Sequence, residues 1–142
     1  MGHTLNVFRV LIASSLTLSV LAAFADTWWP DLLPKPLEAA YEAYLEASPG
    51  PSEPVVLALA IVSVGVFVAA LGLMLLKPWA RALALWTTLL SIMFSPAFGA
   101  GAYSGLTVVL IESAAMLWGA ALAMAYFSEL RSRFETPRLE TR

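Results

Sequence analysis

Residues 105–127 read GLTVVLIESAAMLWGAALAMAYF, an apolar run broken by a single charge, Glu112. About 20 apolar residues in a row match a hydrocarbon core roughly 30 Å thick, so this run predicts a bilayer-spanning helix. Three more such runs lie upstream, at about residues 5–25, 54–76 and 78–94. The chain has 142 residues, 60% of them hydrophobic and 13% charged, which is far more apolar than a soluble domain of this size. The expected fold class is therefore all-α, a four-transmembrane-helix bundle. Residues 1–134 are expected to form a single membrane domain and 135–142 a flexible tail.

Composition closes off much chemistry. With no cysteine, disulfides, thiolate nucleophiles, iron–sulfur clusters and thiolate zinc sites are excluded. The one histidine, His3, precedes the apolar runs, so a bis-histidine haem inside this chain is excluded too. No cofactor and no metal site are expected. A formal charge of −2 and the lack of a dense basic cluster argue against a nucleic-acid partner. Paired membrane acids and a phosphate-binding glycine loop are also missing, so an enzyme is not expected.

The first run has two readings. A basic residue near its start, Arg9, then an apolar stretch and Ala23-Phe24-Ala25 describe either a retained helix or a secretory signal. Either way Asp26 falls on the same side of the membrane. From Asp26 to Glu53 the composition turns to Pro, Trp and acids. Trp28 and Trp29 suit headgroup depth, where indole rings anchor a span, and Trp79 suits the opposite interface. Pro30, Pro34 and Pro36 keep the chain extended until a short helix over about 36–47, on which Leu37, Ala40, Tyr41, Tyr44 and Leu45 share one face. Glu38, Glu42 and Glu46 repel one another along a second face, which needs water. This amphipathic helix between helices 1 and 2 is expected on the surface.

Small residues suggest where helices meet. Gly65, Ala69, Ala70 and Gly72 offer close approach on the second span, and Ala115, Gly119 and Ala123 do so on the fourth. Lys77 and Arg81 form a basic turn between the second and third spans. With Arg9 and the arginines of the tail they lie on one side, while the other side holds Lys35 among acids. The positive-inside rule then makes both termini cytoplasmic.

Glu112 lies about seven residues into its helix, roughly 10 Å deep at 1.5 Å per residue. No basic residue is expected at that depth. The acid should therefore be neutral and hydrogen-bonded inside the bundle, with Thr107 and Ser113 of its own helix, Thr87, Thr88 and Ser91 of the third span and Ser63 of the second as candidate partners. Contact with a protein partner or lipid headgroup, and proton or cation coupling, are the competing roles.

Leu76-Lys77-Pro78-Trp79-Ala80-Arg81, Ser95-Pro96, Trp118-Gly119-Ala120, Ala125-Tyr126-Phe127-Ser128 and Arg133-Phe134 together resemble a loose group of small four-helix bacterial inner-membrane proteins. The resemblance implies a multi-pass protein of the bacterial inner membrane and no activity. The expected role is a non-enzymatic accessory or homo-oligomeric component of a membrane complex, with the lipid bilayer and a protein partner or second copy as its contacts. The alternative is a small proton- or cation-coupled transporter or channel using Glu112.

Overall fold

The computed structural model describes residues 2–48, 50–98 and 101–134; the tail expected at 135–142 lies outside them. Five α-helices follow one another: α1 (Gly2–Trp28), α2 (Lys35–Ala47), α3 (Glu53–Met74), α4 (Pro78–Phe94) and α5 (Gly105–Phe127). Short 3-10 turns cover Pro30–Leu32, Ser95–Phe98 and Glu129–Phe134, and no strand occurs among the described residues. Helices α1, α3, α4 with its 3-10 extension, and α5 are each long and apolar enough to cross a membrane. The short helix α2 lies between the first two spans, as its sequence predicts.

The boundaries follow local chemistry. Proline occupies the first turn of α2, α3 and α4, where its missing N–H costs nothing. Ser104 caps α5, its hydroxyl oxygen accepting from the Thr107 N–H at 3.2 Å. Helix α1 exceeds the expected 5–25 at both ends because nothing breaks it before Pro30; the Trp29 N–H still reaches the Ala25 carbonyl at 3.0 Å. Helix α3 stops at Met74, short of the expected 76. There the Leu76 N–H bonds to Leu73 O and the Lys77 N–H to Gly72 O, at 3.0 and 2.8 Å. This paired 5→2 and 6→1 bonding is a Schellman stop, which needs a left-handed residue. Leu76 supplies it at φ 54°, where glycine is usual.

The helices associate as two antiparallel pairs. Helix α1 runs along α5, and α3 along α4; contact between the pairs is sparse. Glycine sets the second pair. A Cβ on Gly72 would lie 2.7 Å from the Ala80 Cβ and from the Trp79 ring, and one on Gly65 would lie 2.8 Å from the Thr87 methyl. These close approaches use the small positions of α3 that the sequence marks. The first pair is joined by the Ser15 hydroxyl, which donates to the Ala114 carbonyl at 2.8 Å within a buried contact.

The tightest packing is at the end holding Arg9, Lys77 and Arg81, the basic end. Phe8, Ile12, Ala69, Ala70, Leu73, Ala80, Ala84, Ala121, Ala125, Leu130 and Phe134 form one buried cluster there. Phe8 meets Phe134 edge to face, ring centroids 6.1 Å apart, so the 3-10 turn after α5 folds back onto α1. Two arginines finish helix ends: Arg9 Nε donates to Met74 O of α3 at 3.3 Å, and Arg81 donates to Ala125 O of α5 at 3.4 Å. Arg81 also lies over the Tyr126 and Phe134 rings, 5.6 and 5.2 Å from their centroids.

One expectation about packing is corrected. The face of α5 that meets α1 and the core carries Ala114, Ala121 and Ala125, all buried. Gly119 and Ala123 face outward with Ala115 exposed at the edge of that face, and a Cβ on Gly119 would meet nothing within 4 Å.

Candidate functional site

The structure separates Glu112 from the hydroxyls expected beside it. On a helix advancing 100° per residue, Glu112 shares its face with Ala115, Met116, Gly119 and Ala123. That face is exposed: Val109 is 59% and Met116 75% accessible. Glu112 itself is exposed and makes no hydrogen bond or ion pair among the described residues. The interior hydrogen-bonded acid expected from the sequence is therefore not what the fold builds.

The hydroxyls are occupied elsewhere. Thr87 is buried against Gly65 and returns its proton to the Leu83 and Ala84 carbonyls, at 2.9 and 3.2 Å. Thr88 donates to Ala84 O at 2.7 Å and accepts from the Trp118 indole N–H at 2.9 Å, a second hydrogen bond between α4 and α5 beside that of Arg81. Ser91 donates to Thr87 O at 2.8 Å, and Ser63 faces outward on α3. Such back-bonding to the preceding turn lets a hydroxyl sit in an apolar helix without an outside partner.

Thr88 and Ser91 do share a site, but with other residues. Away from the basic end the two helix pairs part, leaving an open-sided cavity of about 690 Å³. Its apolar wall includes Leu16, Val66, Ile92, Ile111 and Trp118, with Ala22, Ala23, Ala102, Ala114 and Ala115 giving it width. Its polar groups are Ser15, Ser19, Thr88, Ser91, Thr107 and Asp26, and Tyr41 and Tyr103 complete the lining. The volume falls within the ~300–1,000 Å³ usual for small-molecule sites.

Among the described residues that line the cavity, Asp26 is the one charged group. It extends from the last turn of α1 to the start of α5. Its Oδ1 accepts from the Thr107 hydroxyl at 2.8 Å, and its Oδ2 from the Ser104 N–H at 3.4 Å. The Ser104 hydroxyl donates in turn to Thr107 Oγ1 at 3.2 Å. Asp26 thus acts as an acceptor on both oxygens, as an ionised carboxylate does. No cation pairs with it among the described residues.

Sequence reasoning placed Asp26 only as the first residue beyond a run and missed its role. The available signal was the Ser104-x-x-Thr107 cap at the start of the fourth run, at the same membrane depth as Asp26. Trp28, Trp29 and Trp79 are half exposed at the two ends of the bundle, and Lys77 is exposed beside a half-buried Arg81. Helix α2 buries none of its residues; only Tyr41 reaches the cavity, while Leu37, Tyr44 and Leu45 stay exposed. Trp86 of α4 faces outward. Among the described residues, no three acids or histidines converge on a point. No family model, curated protein or solved structure matches the chain.

Proposed function

We propose that this is a non-enzymatic integral membrane protein that acts by associating within the bilayer through the outer face of α5. The observation that carries the reading is Glu112, exposed in the outer half of α5 beside Gly119 and without a partner among the described residues. A charged side chain facing lipid near the bilayer centre costs about 2.5–3.5 kcal/mol on insertion scales, a cost that a covering partner removes. The Ala115–Gly119–Ala123 strip beside it lets a second helix approach closely. A second copy of the chain is the simplest occupant, because one face can contact itself about a two-fold axis. An accessory role in a larger complex is the same reading with a different chain on that face.

The resemblance of residues 76–134 to small bacterial four-helix proteins supports a bacterial inner-membrane location. The gathering of Arg9, Lys77, Arg81, Arg131 and Arg133 at one end supports a cytoplasmic placement of that end and of both termini. Transport through Glu112 draws less support. The cavity is lined by its neighbours Ile111 and Ala115, and Glu112 turns away from it.

The absence of native cysteine makes the test clean. Single cysteines at residues 115, 116, 119 and 123 should form disulfide-linked dimers in native membranes, and Ile61→Cys on the exposed side of α3 should not. A cross-linked species heavier or lighter than a dimer would identify an accessory partner instead. Equal cross-linking at Ile61 and on α5, or none anywhere, would remove the reading.

A further inference from the structure

We infer that the cavity between the two helix pairs is a binding site for a lipophilic cation, an ammonium head on an apolar body, with Asp26 as the counter-ion. Three observations meet there. The cavity holds about 690 Å³, and Leu16, Val66, Ile92, Ile111 and Trp118 give it an apolar wall that suits a hydrocarbon or flat ring body. Its single charge is the Asp26 carboxylate, fixed in place by Thr107 and Ser104 and lacking a basic partner among the described residues. Tyr41 and Tyr103 line it as well, and aromatic faces attract ammonium groups.

The charge pattern selects the head group. Helix α2, which contributes Tyr41, exposes Glu38, Glu42 and Glu46, so the acidic end of the bundle repels anions. An alkyl sulfate or fatty acid would set a negative head against Asp26. A zwitterionic phospholipid would bring a phosphate to the same acidic surroundings along with its amine. A monocationic amphiphile alone satisfies the carboxylate and the aromatic rings without a repelled group.

The test uses the full chain in phosphatidylcholine nanodiscs and a dodecylamine carrying a diazirine near the end of its chain. Photolabelled peptides should cluster within residues 15–26 and 102–118. Dodecyltrimethylammonium should compete the label away, while dodecanol and dodecyl sulfate at equal concentration should leave it. Asp26→Asn, which keeps an acceptor for Thr107, should lower labelling at least tenfold. Ala23→Trp, which fills the cavity and leaves Asp26 intact, should lower it equally; retained helicity confirms that each variant is folded. Competition by dodecanol or dodecyl sulfate as strong as by the ammonium compound would overturn the assignment. So would labelling spread evenly over outward residues such as Met93 and Met116, or labelling in both folded variants equal to that of the native chain.

Discussion

The basic and acidic ends of this bundle use the same four helices in opposite ways. At the basic end, helix axes close on glycine and alanine, aromatic rings interlock, and arginines take up the last carbonyls of α3 and α5. A hollow beside Thr4, Leu5 and Arg133 amounts to about 60 Å³. At the acidic end the pairs part around about 690 Å³, and polar groups rather than rings connect α1 to α5. The difference teaches that rigidity and room are divided along the membrane normal. A tightly packed end holds the register, and an open end presents a carboxylate on elements the other end keeps fixed.

The comparison can be broken most forcefully at the tight end. Phe134→Ala removes a fully buried ring from the contact with Phe8 and should cost about 3–5 kcal/mol, read as a lowered thermal midpoint in mild detergent. Gly72→Val places a branched side chain where even a Cβ would collide with Ala80 and Trp79; about 1–3 kcal/mol should be lost in denaturant titration. Arg81→Met keeps the aliphatic stem but loses the Ala125 carbonyl and the Tyr126 and Phe134 rings. It should cost about 1–2 kcal/mol in the same titration.

Changes at the open end sharpen the contrast because they should be smaller. Thr107→Val leaves Asp26 without its 2.8 Å donor and should cost about 1 kcal/mol. Hydrogen exchange should rise near Ser104 and stay unchanged around Phe8 if the two ends are energetically separate. A loss of protection at Phe8 would show that they are one unit. Smallest of all, Trp118→Phe deletes the bond to Thr88 at the boundary between the pairs. A loss of about 0.5–1 kcal/mol is expected from chemical denaturation.

The spans were legible in sequence because their length and apolarity are set by the bilayer, whatever packs beside them. The turns were legible where proline or serine fixed the backbone, as at Pro78 and Ser104. The stop at Leu76 was not, since leucine carries no mark of a left-handed conformation. Pairing of first helix with last was also hidden. In lipid the inward and outward faces of a helix are equally apolar, so no periodic contrast points at the core. Helix α5 carries two ridges of small residues, one through Ala114, Ala121 and Ala125 and one through Ala115, Gly119 and Ala123. Composition cannot choose between them. Glu112 shares the second ridge, so mistaking that ridge for the packed one also turned the acid inward.

The partnership of α1 with α5 has a consequence for how the protein is made. Helix α1 finds its neighbour α5 only after α3 and α4 have been synthesised. In that interval Ala25 lacks the α5 surface that later covers it. Once α5 docks, Ala25 has 0% of its surface left accessible, while Ala23 and Phe24 stay exposed. Helix order along the chain therefore makes the α1–α5 seam, with Ala25 inside it, the later of the two helix pairs to close.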